Sequence, residues 1–92
     1  MASINISRNH SKSLSEIKNL IDDLASDVKK EYGVDMSWQD ERSLSISGTG
    51  IKSGSVNISD SNIEINIKLG MLASAFKGKI EDGLNSKLDE LL

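Results

Sequence analysis

The chain has 92 residues and no cysteine, so it is long enough for one hydrophobic core, and disulfides, thiolate metal sites and cysteine nucleophiles are excluded. A formal net charge of −3 argues against a nucleic-acid partner bound through its phosphates, and no apolar run is long enough for a transmembrane segment. With 37% hydrophobic residues and one each of Phe, Trp and Tyr, the core must come from Ile, Leu and Val.

Ile4 and Ile6 alternate with Asn5 and Ser7, the period of a strand with one dry face, and predict a short first strand ending near Arg8 or Asn9. Ser13 stands three residues before Glu16, the spacing of a capping box, so a helix starts there. Leu14, Ile17, Leu20, Ile21, Leu24, Ala25, Val28 and Tyr32 fall in a band about 140° wide on that helix, with Lys18, Asp22 and Asp23 outside it. Lys29 and Lys30 suit the negative end of the helix dipole, and Gly33 supplies the left-handed residue that ends the helix.

Val34, Met36 and Trp38 predict a second strand, Gln39 to Arg42 a turn, Leu44 and Ile46 a third strand, and Val56 and Ile58 a fourth. The glycines of Gly48-Thr49-Gly50 and Gly54 between them imitate a phosphate loop. Such a loop needs a helix after it, whereas another alternating strand follows, so we read a hairpin with a bulge or turn near residues 50–54. Asn5-Ile6-Ser7 and Asn57-Ile58-Ser59 match the glycosylation sequon but fall in alternating strands, and read as chance.

Ile63, Ile65, Ile67 and Leu69 alternate strictly and form the last strand. After Gly70 the period becomes helical: Leu72, Phe76, Ile80, Leu84 and Leu88 recur every fourth residue, with Ala73 and Leu91 between, predicting a helix that runs to the C-terminus. A four-residue repeat exceeds the 3.6-residue turn, so this stripe winds, and it spans about 160°. Phe76 and Ile80, near its middle, are expected to be buried against the sheet. Gly83 falls inside the stripe and is read as a close backbone approach or a bend. The predicted fold is α+β, one domain over residues 1–92, in the order β-α-β-β-β-β-α. A twisted antiparallel sheet carries both helices on one face, the last four strands form a meander, and the first lies beside the fifth.

Three residues stand out as possible functional positions: His10, Trp38 and Phe76. His10, the only histidine, could serve as a general base, but at a strand-to-helix junction it more simply orders the chain through hydrogen bonds. Trp38 could stack on a ligand, yet it shares the parity of Val34 and Met36 and is expected in the core with its indole N–H satisfied. Asp22, Asp23 and Asp27 read as a solvated helix face, and no metal site or cofactor is expected.

His10, Ser13-Leu14-Ser15, Trp38, the Ser47-Gly48 to Gly54 hairpin, Leu69-Gly70-Met71-Leu72, Ile80-Glu81 and Leu88-Asp89 together resemble the polyhydroxyalkanoic acid system family of small bacterial proteins. Ile46 stands where family members often carry an aromatic residue. The resemblance covers about residues 4–92 and implies a setting in polyester-storage metabolism, cytoplasmic and at storage granules. The implied partner is the granule surface or another granule protein, a homo-oligomer is open, and no catalytic residue carries over. Two readings follow: a non-enzymatic accessory protein acting through an apolar surface, or a small apolar-ligand or lipid carrier of START-like helix-grip type. A cavity of several hundred Å³ favours the carrier, and a dry core with an exposed apolar patch favours the accessory protein. An enzyme has only His10 and scattered carboxylates behind it, and no enzyme is expected.

Overall fold

The structure, a computed structural model, describes residues 2–71 and 73–92. Leu72, placed by its spacing in the stripe of the last helix, lies outside the described residues. Five strands and two helices follow in the expected order: β1 (Ala2–Asn9), α1 (Leu14–Tyr32), β2 (Asp35–Asp40), β3 (Ser43–Ser47), β4 (Ile51–Ile58), β5 (Asn62–Leu69) and α2 (Lys77–Leu91). The sheet is antiparallel throughout, open, and ordered β1-β5-β4-β3-β2, so the meander and the place of β1 beside β5 are as expected.

Register explains the core. Ile6, Ile65, Val56, Leu44 and Trp38 stand opposite one another in a row across all five strands, and all but the half-buried Trp38 are buried. The next row, Asn5, Asn66, Ser55, Ser45 and Ser37, points to the other face and is exposed or half-buried. Both helices cover the apolar face. Ile17, Ile21, Leu24 and Val28 of α1 and Leu84 and Leu88 of α2 join one cluster with the strand isoleucines, and Leu14 packs at its margin.

The start of α1 carries the full capping box. The Glu16 N–H donates to Ser13 Oγ at 3.2 Å, and the Ser13 N–H donates to the Glu16 carboxylate at 3.3 Å. Gly33 ends the helix at φ 68°, a left-handed conformation that L side chains resist, and its N–H reaches the Lys29 carbonyl at 3.0 Å. Val34, expected to open the second strand, is the junction residue instead, and β2 begins at Asp35. In β4 the pairing with β5 shifts between Ile51 and Ser53, which is the bulge expected near there.

The last helix departs from expectation at its beginning. Instead of running on from Gly70, the chain makes a single 3-10 turn, Ala73–Phe76, and α2 starts only at Lys77. Gly70 is held at the strand end by donating to the Gly50 carbonyl at 2.7 Å, and its own carbonyl accepts from the Ser74 N–H at 3.0 Å. The corner is therefore set by one tertiary bond and one local bond.

Phe76 is not buried against the sheet, contrary to its expected place in the stripe: it is 59% exposed. Each four-residue step rotates the stripe by about 40°, so the two steps from Leu88 back to Ile80 carry it about 80° off the buried face, and Phe76 lies before α2, in the 3-10 turn. Leu84 and Leu88 are buried, Ile80 is half-buried, and Phe76 faces out. Gly83 is also resolved differently: a Cβ there would sit 2.0 Å from the Tyr32 hydroxyl. The glycine makes room for a side chain of α1 rather than for backbone.

Candidate functional site

The loop between β3 and β4, the end of β5, the 3-10 turn, the first turn of α2 and the end of α1 meet at one end of the sheet. Gly50, at φ 84°, lies so close to the turn that a Cβ on it would be 2.7 Å from the Ala73 Cβ. With the Gly70–Gly50 hydrogen bond, this contact fixes loop, strand and turn against one another. They enclose a cleft of about 460 Å³, open to solvent on one side. Val34, Ile51, Leu69, Ala73, Phe76 and Ile80 supply its apolar walls, and Tyr32, Thr49, Glu31 and Lys79 its polar groups.

The two charges on the cleft differ in their surroundings. Glu31 accepts a 3.0 Å hydrogen bond from the Lys87 ammonium, which also stands 3.7 Å from Asp27. The hydrogen bond to Glu31, with the nearby carboxylates, raises the Lys87 pKa above its ordinary value. Glu31 thus has a cationic partner, which it shares with Asp27. Lys79 has no ion-pair partner among the described residues. The first turn of α2 contains no acidic side chain, and its other cation, Lys77, stands 3.9 Å from Glu81.

Phe76 lines this cleft, and Met71, 88% exposed, precedes its turn. His10 sits at the opposite end of the sheet, where its N–H donates to the Ser61 carbonyl at 2.9 Å. Its Nε2 is 2.9 Å from the Ser59 carbonyl and its Nδ1 is 3.2 Å from the Lys12 N–H. An Nε2–H tautomer satisfies both contacts, so the imidazole pins the β1–α1 junction to the β4–β5 turn. Trp38 lies on the edge strand β2, half-buried. Its indole N–H donates to Asp22 Oδ1 at 2.8 Å, and the Lys18 ammonium stands 5.1 Å from its ring centroid. It fastens α1 to the sheet edge. The three candidate residues are not brought together.

Sequence reading passed over one feature. Arg8 shares the inward parity of Ile4 and Ile6, and it donates to Asp89 Oδ1 at 2.7 Å and to Asn85 Oδ1 at 3.0 Å, tying β1 to α2. A charge at a core-parity position was the available signal. Among the described residues, no group of three His, Asp or Glu side chains converges as metal ligands, and no helix is long and apolar enough to cross a membrane.

Fold and cleft define a small α+β protein with two helices on one face of an open sheet and an apolar cleft at one end. The profile of a family described as "Putative polyhydroxyalkanoic acid system protein" matches residues 4–92, nearly the whole chain. The chain belongs to that family. No curated protein and no solved structure matches it significantly.

Proposed function

We propose that the protein is a non-enzymatic accessory factor of polyhydroxyalkanoate storage, acting in the cytoplasm at the granule surface or on another granule protein. The observation that carries this reading is the pair of exposed apolar side chains, Phe76 and Met71, at the end of the sheet that holds the cleft. Large apolar side chains grouped at one end of a small protein mark an interaction surface. A structural role for His10, whose ring nitrogens both have backbone neighbours, supports a function without proton transfer. The test is co-sedimentation of the purified protein with polyester particles. Phe76→Ser should abolish it while leaving the melting temperature unchanged. Retained co-sedimentation would remove this surface from the proposal.

A second reading, a small apolar-ligand carrier, is favoured by the cleft itself. Its volume of about 460 Å³ falls in the range of small-molecule sites, about 300–1,000 Å³. The resemblance to START-like helix-grip proteins goes no further than a sheet packed on a C-terminal helix, which is fold analogy.

A further inference from the structure

We propose that the cleft binds a free medium-chain alkanoate, with its alkyl chain on Val34, Ile51, Leu69 and Ile80 and its carboxylate at the Lys79 ammonium. The inference rests on the carrier reading of the cleft and adds the chemical class of its ligand. Walls of aliphatic side chains take an alkyl chain, and the cleft has room for one. The end group follows from charge. Glu31 already accepts from Lys87, and no acid stands in the first turn of α2, so Lys79 is the charged group of the cleft left to meet a ligand. An unpartnered ammonium beside an apolar wall favours an anion attached to a chain over a neutral alcohol or ester. Hydrolysis of a polyhydroxyalkanoic acid, the polymer in the family's description, adds water across an ester C–O bond and releases a hydroxyalkanoate, which carries the same carboxylate on an alkyl chain with one hydroxyl added.

The experiment is titration of isotope-labelled protein with octanoate and with methyl octanoate, below micelle formation, followed by amide chemical shifts. Octanoate should shift Thr49, Ile51, Ala73 and Ile80, and the methyl ester should bind about fivefold more weakly, as expected for one partly exposed ion pair. Lys79→Gln, a change at an exposed position, should bring octanoate to the level of the ester without altering the melting temperature. Equal binding of acid and ester, or unchanged octanoate binding in Lys79→Gln, would overturn the inference and leave the carrier reading standing. Absence of shifts with both probes would overturn the inference and the carrier reading together. Neither result bears on particle co-sedimentation, which is measured without octanoate.

Discussion

Ser13 and Glu16 show how much one turn of chain can depend on two side chains. Each satisfies an amide that the helix leaves without an internal partner. Replacing Ser13 with Ala should cost about 1 kcal/mol in urea denaturation. Glu16 adds a pH dependence of known sign. Its hydrogen bonds from the Ser13 amide and hydroxyl hold the carboxyl below its ordinary value of 4.5. The contribution is therefore complete above 4.5 and is lost as pH falls through the lower folded value. The melting-temperature gap between the protein and Glu16→Ala should be full at neutral pH and close in acid. A gap that widens in acid would contradict the capping geometry. At His10 the contacts are to backbone, and a Gln side chain can replace one of them. His10→Gln should leave particle co-sedimentation intact, and its loss with unchanged melting would revive an acid–base role.

At the scale of elements, the pairing of α1 with α2 depends on an empty position. Tyr32 near the end of α1 projects its hydroxyl over Gly83, where any Cβ would collide with it. Gly83→Ala normally gains about 1 kcal/mol of helix propensity, but here it should destabilise the protein. The loss should shrink when Tyr32 is also replaced by Ala, a coupling that a double-mutant cycle measures. An additive result would show that the two helices do not meet through this pair. The same contact shows what was legible in the sequence. Strand period, the Ser13–Glu16 box and the Gly33 stop are local signals, and they gave the number and order of the strands and the whole of α1. Gly83 announced itself as an anomaly, but its cause lies 51 positions away in the chain. The 3-10 corner at Ala73–Phe76 is set by Gly70 bonding to Gly50, so the periodicity of the following residues extended the helix one turn too far and misplaced Phe76. The cleft was illegible for the same reason, being made from the ends of separate elements.

Across the whole molecule, two kinds of force attach α2 to the rest. Leu84 and Leu88 are buried in the shared cluster beside strand isoleucines. At the rim Arg8 reaches Asp89 and Asn85 from β1, and Lys87 reaches Glu31 and Asp27 from α1. Magnitudes decide which matters. Truncating a buried leucine removes transfer free energy and leaves a cavity, about 2–5 kcal/mol. An ion pair with one partner largely in water gives about 0–1 kcal/mol, and Asp89 is 66% exposed. Leu88→Ala should therefore cost a large part of the stability of so small a protein, whereas Arg8→Gln should cost about 1 kcal/mol or less. Urea denaturation of the two variants tests this directly. If Arg8→Gln proves the more damaging, α2 is held by its polar rim, and its apolar stripe is only loosely seated. In that case the helix that forms one wall of the cleft should lift from the sheet in high sodium chloride, which screens exposed pairs. If Leu88→Ala is the more damaging, high salt should leave α2 in place, and the cleft should keep its shape and its amide shifts across the same salt range.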